Sequence, residues 1–138
     1  MAASGFSVAH VSEIPQPASV TTEAGEADWK PVRHHLGVEA FGVNAWVARA
    51  EGDRVIEEHE EDSGHQELYF VARGHATFTI GGRSVDAPAG TFVFVRDPGL
   101  RRSAVADAAG TTVVALGGWA GRAFEVSDWE RRCTEAAA

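Results

Sequence analysis

Imidazole and carboxylate side chains crowd one short stretch of the sequence, residues 57–67. The stretch contains Glu57, Glu58, His59, Glu60, Glu61, Asp62, His65 and Glu67. His65 and Glu67 stand two positions apart, so on a β-strand their side chains point to the same face. With His59 they form a two-histidine, one-carboxylate set, a ligand combination that suits Fe, Mn, Ni, Cu or Zn. We therefore interpret His59, His65 and Glu67 as a candidate site for one divalent transition-metal ion.

Length and charge limit the kind of protein that presents this stretch. A chain of 138 residues corresponds to one domain and is long enough to bury a core without disulfides or metal. Its 12 basic and 20 acidic residues give a net charge of -8, which argues against binding the phosphate backbone of nucleic acids. The sequence has no basic amphipathic segment and no run of about 18 apolar residues, so a membrane partner is not expected either.

The cysteine count and the start of the chain bear on the compartment. Cys133 is the single cysteine, so no intrachain disulfide can form. The first five residues lack the charged and apolar regions of a signal peptide. We therefore expect the protein in the cytoplasm.

The chain divides into three segments that differ in pattern. Residues 1–38 are weakly patterned and are interrupted by Pro15 and Pro17, so they are predicted to form an N-terminal arm. Residues 39–120 are predicted to form a barrel domain. Residues 121–138 are predicted to be a C-terminal segment with a short helix, because Ser127 and Glu130 fit the capping box that begins a helix.

The central segment has the pattern of a succession of short strands. Ala76, Phe78 and Ile80 alternate with other residues at a period of two, and Gly81-Gly82 indicates a hairpin turn. Residues 91–95 are apolar, β-branched and aromatic, which predicts a strand buried on both faces. Short strands that are separated by glycine and proline turns at intervals of about eight to twelve residues are typical of an all-β sandwich or barrel.

Three stretches of this segment resemble the cupin superfamily. Residues 66–74 are similar to the end of the first cupin motif, residues 76–82 to the hairpin that follows it, and residues 87–95 to the entry of the second motif. The resemblance covers residues 40–117, which is most of the predicted barrel. It implies an all-β fold with a single antiparallel β-barrel, the cupin-like double-stranded β-helix, which is often dimeric.

The resemblance also implies where a site lies. Metal-binding cupins share three histidines and one glutamate, and Glu67 stands at the glutamate position. The strand before it offers Glu57 and His59 in one register, or His59 and Glu61 in the other. Arg101 stands where the last histidine is expected, and an arginine cannot ligate a metal.

This arginine leaves three interpretations open. In the first, Arg101 pairs with a buried Glu67, and the ion pair takes the place of a metal. In the second, Arg101 orients an anionic or carbonyl-bearing ligand while Glu67 or His59 acts as general base. In the third, His59, His65 and Glu67 retain a metal ion. Glu67, His59 and Arg101 are therefore the candidate catalytic residues.

A pocket in the barrel interior is predicted from aromatic residues. Trp46, Tyr69 and Phe78, together with Arg101, are candidates for its lining, because small-molecule sites are largely apolar with a few polar groups. We interpret the chain as a cupin-type small-molecule-binding protein that lacks the full metal-ligand set. The alternative is a small metal-dependent cupin enzyme, an oxygenase or isomerase, that acts on a carbonyl- or carboxylate-containing metabolite. A homodimer is also expected, because apolar residues on both faces of residues 91–95 leave one sheet face in need of cover.

Overall fold

The fold of the chain is nearly all β. The structure is a computed structural model that describes residues 5–135. Within these residues a single 3₁₀ turn spans Val11–Glu13. The strands and α-helices are β1 (Asp28–Lys30), α1 (Val32–Leu36), β2 (Gly42–Val47), β3 (Arg54–His59), β4 (Gln66–Arg73), β5 (His75–Ile80), β6 (Arg83–Pro88), β7 (Phe92–Val95), β8 (Arg102–Ala106), β9 (Thr112–Gly118) and α2 (Asp128–Glu135).

Two antiparallel sheets enclose one apolar core. The five-stranded sheet has the order β1-β2-β9-β4-β7, and the four-stranded sheet has the order β3-β8-β5-β6. Alternate residues of both sheets point inward, as the period of two predicts. The core consists mainly of Val55, Ile56, Tyr69, Val71, Ala76, Phe78, Ala87, Val93, Val95, Ala104, Ala106, Val113 and Ala115. The all-β prediction, with one short C-terminal helix, is confirmed.

Strand β7 departs from its prediction. Val93 and Val95 are buried in the core, but Phe92 is 64% exposed and Phe94 is 46% exposed. The prediction that this strand is buried on both faces is therefore wrong. Composition alone cannot distinguish a strand with two covered faces from a strand whose outer aromatic side chains no other described element covers.

The predicted N-terminal arm contributes to the sheet. Its β1 pairs with β2, with Trp29 opposite Trp46, and Ile14 is buried. Residues 1–4 of the predicted arm lie outside the described residues. The boundaries of the arm at residue 38 and of the barrel at residue 120 remain predictions.

The C-terminal helix begins where the sequence predicts. The Ser127 hydroxyl accepts a hydrogen bond from the Glu130 backbone N–H at 3.1 Å, which caps the first turn of α2. The Glu130 carboxylate binds Arg33 and the Asn44 amide, so it does not complete the capping box. Residues 136–138 lie outside the described part of the chain, and none of the helices described is long and apolar enough to cross a membrane.

A histidine on the outer side of the four-stranded sheet predicts a pH-dependent stability. His75 lies between two carboxylates, with Nδ1 2.5 Å from Asp107 and Nε2 2.7 Å from Asp86. Its hydrogen bond to Asp107, followed by the charges of both aspartates, raises the pKa of His75. A raised pKa stabilises the fold fully below the unfolded value of about 6.5, and this contribution is lost as the pH rises through the folded pKa.

We therefore expect His75→Gln to melt below the wild type at pH 6 and the gap to narrow as the pH rises. Thermal midpoints measured from pH 6 to pH 10 check this expectation. His35→Gln, at an exposed position on α1, is the matched control and should show no such trend. A gap that is constant across the pH range contradicts the prediction.

Candidate functional site

The residue cluster that opened the sequence comes together at one end of the core, between the two sheets. His59 is the last residue of β3 and lies opposite Arg102 on β8. Glu67 lies on β4 of the other sheet, opposite Val95 and Gly117. The loop 60–65 joins these two strands, so it brings Glu61 and His65 to the same end.

Two imidazoles and two carboxylates converge there. His59 Nε2 lies 2.8 Å from Glu61 Oε1 and 3.3 Å from Glu67 Oε1. His65 Nε2 lies 3.3 Å from Glu61 Oε2 and 3.9 Å from Glu67 Oε2. Each imidazole therefore directs the same ring nitrogen at the two carboxylates.

Contacts behind the imidazoles fix this orientation. His59 Nδ1 lies 2.7 Å from the Glu57 carbonyl oxygen, which can only accept, so Nδ1 carries the donated hydrogen. His65 Nδ1 lies 2.8 Å from the Ser63 hydroxyl, and its ring meets Trp119 edge-on at 5.4 Å between centroids. Histidines that bind metals are oriented in this way, with one nitrogen tied to the protein and the other directed at the ion.

A buried arginine neutralises Glu67. Arg102 is 1% exposed, and its Nη1 donates to Glu67 Oε1 at 2.9 Å. The Tyr69 hydroxyl donates to the same oxygen at 2.5 Å. Arg102 also donates through Nε to the Leu100 carbonyl at 2.9 Å. Its Nη2 donates at 3.4 Å to the carbonyls of residues 97 and 98. The guanidinium is therefore committed to protein acceptors.

Comparisons with known proteins bear on the fold that carries this site. No protein-family model and no curated protein matches the chain. Among solved structures it is similar to an uncharacterised conserved protein with a double-stranded β-helix domain from Klebsiella pneumoniae, with a TM-score of 0.62 and 20% identity over 88% of this chain and 96% of that one. It is similar to an RmlC-like cupin from Shewanella frigidimarina, with a TM-score of 0.57 and 14% identity over 86% and 95% of the two chains.

A third similar structure is a protein described as a predicted oxalate decarboxylase from Thermotoga maritima, with a TM-score of 0.61 and 18% identity over 80% of this chain and 97% of that one. The chain has the cupin fold. At these identities the likeness establishes the architecture of the barrel alone. The chemistry must be argued from the side chains of His59, Glu61, His65 and Glu67 at one end of the barrel, which we call its mouth.

The mouth of the cupin barrel holds its charges in balance. Burial by itself raises the pKa of Glu67, but hydrogen bonds from His59, His65 and Tyr69 outweigh it and hold that pKa well below its usual range. Hydrogen bonds with Glu61 and Glu67 raise the pKa of His59 to about 10. Burial, followed by the charge of Glu67, raises the pKa of the Tyr69 hydroxyl. A proton on His59 and the Arg102 charge thus face two carboxylates.

The same atoms fit a divalent metal ion. The donor atoms of His59, Glu61 and Glu67 all lie within 4.8 Å of one another. Ligands at about 2.0–2.2 Å from one ion and at right angles to each other stand roughly 3 Å apart, which is close to the distances from His59 to the two carboxylates. A metal ion and the His59 proton would therefore occupy the same place. The structure groups Glu61 with His59 and Glu67, whereas the sequence predicted His65 as the third ligand.

Arg101 lies outside this mouth. Its side chain is 57% exposed, 3.3 Å from Glu58 and 4.0 Å from Glu60. The interpretation that Arg101 pairs with Glu67 is wrong, because β8 turns Arg102, Ala104 and Ala106 inward, which leaves residues 101, 103 and 105 outside. The alternation along β8 was a usable signal, but Ser103 and Val105 give too little polarity contrast with the alanines to identify the inner face.

The predicted pocket residues lie deeper in the core. Tyr69 and Phe78 are fully buried and pack against each other at 5.5 Å between ring centroids. Trp46 is half-buried and packs against the same core. An open depression of about 440 Å³ lies elsewhere, on the outer side of the five-stranded sheet, lined by residues that include Phe41, Leu116 and Trp119. Ligand contact by Trp46, Tyr69 and Phe78 remains a prediction.

Proposed function

We propose that the protein binds one divalent transition-metal ion at the mouth of its cupin barrel, through His59, Glu61 and Glu67. The observation that carries this proposal is the convergence of their donor atoms within 4.8 Å at a partly buried site. The hydrogen bond from His59 Nδ1 to the Glu57 carbonyl supports it, since it leaves Nε2 directed at the carboxylates.

The surrounding residues of the chain hold and tune the ligand set. Arg102 and Tyr69 both donate to Glu67 Oε1, so they fix the carboxylate and leave Oε2 turned toward His65. His65 is 19% exposed, and its Nε2 faces Glu61 Oε2 at 3.3 Å and Glu67 Oε2 at 3.9 Å.

The chemistry of the mouth narrows the substrate class. A bound metal ion supplies a Lewis acid that polarises a carbonyl or carboxylate oxygen. Arg102 is fully buried and hydrogen-bonds to Glu67 and to backbone carbonyls, and Arg101 lies outside, so neither arginine is placed to bind an anionic metabolite. We therefore propose a small carbonyl- or carboxylate-containing metabolite as substrate. The fold shared with a predicted oxalate decarboxylase is compatible with this class.

Metal titration tests the proposal. Chelator-treated protein titrated with Mn²⁺, Zn²⁺ or Fe²⁺ in a calorimeter should bind one ion per chain. We expect His59→Gln and Glu61→Gln to weaken binding by more than about 100-fold, because even losing a residue that merely orients a ligand costs roughly 10–100-fold. Glu58→Gln, next to Arg101 on the outside, is the matched control and should leave affinity unchanged. A wild type that binds no ion overturns the proposal.

One observation favours a second candidate, a metal-free small-molecule-binding cupin. The positive charges of Arg102 and a protonated His59 already balance the negative charges of Glu61 and Glu67. These four side chains therefore carry no net charge without a metal ion. This candidate predicts no saturable metal binding, together with a metabolite that raises the melting temperature of the wild type more than that of Glu67→Gln. A stoichiometric metal with the variant pattern above excludes it.

A further inference from the structure

Two of the four side chains at the mouth, those of Glu61 and His65, stand on a loop and not on a strand. Most of loop 60–65 is exposed, and residues 60–62 are all acidic. A loop with so little burial and with mutually repelling charges keeps one conformation only if specific contacts hold it. One such contact lies near its start, where the Glu61 N–H donates to the Pro98 carbonyl at 2.8 Å.

Trp119, just after β9, supplies the contacts to the second half of the loop. Its indole Nε1 donates a hydrogen bond to the Ser63 carbonyl at 3.0 Å. Its ring meets the His65 imidazole edge-on, with 5.4 Å between the centroids. The Ser63 hydroxyl lies 2.8 Å from His65 Nδ1. One indole therefore contacts both the backbone of the loop and the imidazole that the loop carries.

The residues around Trp119 hold the indole and leave room for the imidazole. The guanidinium carbon of Arg122 lies 4.3 Å from the centroid of the Trp119 ring, and the Phe124 ring packs against it at 5.9 Å between centroids. A Cβ on Gly117 would lie 3.0 Å from His65 Cδ2 and 3.1 Å from Nε2, so the imidazole rests directly on the Gly117 backbone. The end of β9 and the residues that follow it therefore form the surface on which the loop lies.

We infer that Trp119 is a positioning residue of the mouth, whose indole holds loop 60–65 against the end of β9 and thereby keeps Glu61 and His65 in place. The two loop side chains are linked, because His65 Nε2 lies 3.3 Å from Glu61 Oε2. A ligand on a loop that samples other conformations binds an ion less tightly, since ordering the loop costs conformational entropy. The inference rests on the proposed metal site, in which Glu61 is a ligand, and it adds a residue that acts through the loop.

Amide hydrogen exchange of the metal-free protein tests this anchor. Trp119→Phe keeps an aromatic ring but removes the donor to the Ser63 carbonyl. The N–H groups of Glu61 and Gly64 are hydrogen-bonded within the protein, and we expect both to exchange at least about 5-fold faster in the variant, as the loss of one hydrogen bond predicts. The amides of β4 and β9 should keep their wild-type rates, which a general loss of stability would not allow.

Metal affinity shows whether the anchor positions the ligand. Trp119→Phe should bind Mn²⁺ about 10-fold more weakly than the wild type, because residues that orient a ligand contribute roughly 10–100-fold. Trp129→Phe is the matched control. It makes the same change on α2, where Trp129 packs against Trp29 at 4.6 Å between centroids, and it should alter neither the loop exchange nor the affinity.

A pair of glycines tests the position of His65 by a separate route. Gly117→Ala introduces a methyl group that displaces the imidazole but leaves the hydrogen bond from Trp119 to the loop, and it should also weaken Mn²⁺ binding roughly 10-fold. Gly118→Ala, where a Cβ meets nothing within 4 Å, is the control and should bind as the wild type does. Wild-type affinity in Gly117→Ala would overturn the link through His65.

Other outcomes decide against the inference as a whole. Wild-type exchange of the loop amides in Trp119→Phe overturns it, and so does faster exchange throughout β4 and β9. A loosened loop with unchanged Mn²⁺ affinity overturns the positioning role. A wild type that binds no ion overturns the proposed metal site instead, and the exchange rates of the metal-free protein then decide by themselves whether Trp119 holds the loop. Trp119→Leu takes the place of Trp119→Phe if the latter does not fold.

Discussion

Replacing Arg102 by methionine is expected to destabilise the protein by about 3–5 kcal/mol, which is the usual cost of removing one member of a buried ion pair. The substitution leaves the Glu67 carboxylate without the fully buried guanidinium that donates to its Oε1. It also strips the Leu100 carbonyl of its partner. Because the side chain is inaccessible to solvent, water cannot replace these contacts. Chemical denaturation at neutral pH measures the loss.

The neighbouring arginine provides the control for this experiment. Arg101→Met removes an exposed side chain whose ion pairs with Glu58 and Glu60 lie in solvent, so we expect a change below about 1 kcal/mol. The double variant Arg102→Met/Glu67→Gln should recover part of the loss, since it removes the orphaned charge as well. Equal losses for the two arginine variants, or no recovery in the double variant, would refute the assignment of Arg102 as the partner of Glu67.

Replacing Gly74 by alanine is expected to cost about 2–4 kcal/mol, for two reasons that add. Gly74 joins β4 to β5 with φ +78°, a conformation that L residues adopt only at a cost of roughly 1–2 kcal/mol. A Cβ there also lies 2.4 Å from Thr111 Oγ1 and 2.8 Å from Thr111 Cα, so backbone has to move. Thr111 is fully buried, and its hydroxyl donates to the Ala108 carbonyl at 2.7 Å and accepts from the His75 N–H at 3.3 Å, which leaves it little freedom to yield.

Gly82 separates the two contributions. Its φ of +79° is nearly the same, but a Cβ there meets nothing within 4 Å. Gly82→Ala should therefore show the conformational cost alone, and the additional loss in Gly74→Ala measures the clash with Thr111. Thermal and chemical denaturation of the two variants side by side make the comparison. If both lose the same stability, the contact with Thr111 carries no energy.

The two arginines show how far sequence patterns reach in this fold. Glu67 and the need for a positive partner followed from the resemblance and from the cost of burying a carboxylate. The identity of that partner did not, because Arg101 and Arg102 are adjacent and one register step exchanges the two faces of a strand. The pairing of β8 with β3 and β5 settles the register, and neither neighbour can be identified from β8 itself.

Residues 57–67 show the same division for the candidate site. Their composition marked the cluster, and His59 and Glu67 were both identified as its members. Glu61 joins His59 and Glu67 because the loop after β3 folds back, with the Glu61 N–H donating to the Pro98 carbonyl at 2.8 Å. That hydrogen bond links two segments that are distant in sequence, so no local sequence pattern predicts it.

The sequence by itself determined that short strands separated by glycine turns form an all-β domain, and that acids and histidines gather before and within β4. These are local properties, set by alternation, turn residues and side-chain chemistry. Only the tertiary structure decided that Arg102 and not Arg101 faces Glu67, that Glu61 lies beside His59 and Glu67, and that Phe92 and Phe94 stand exposed. Each of these three features depends on which strand, distant in sequence, pairs with a residue or packs over it. Burial of a side chain is set by these neighbours, which the local sequence does not specify.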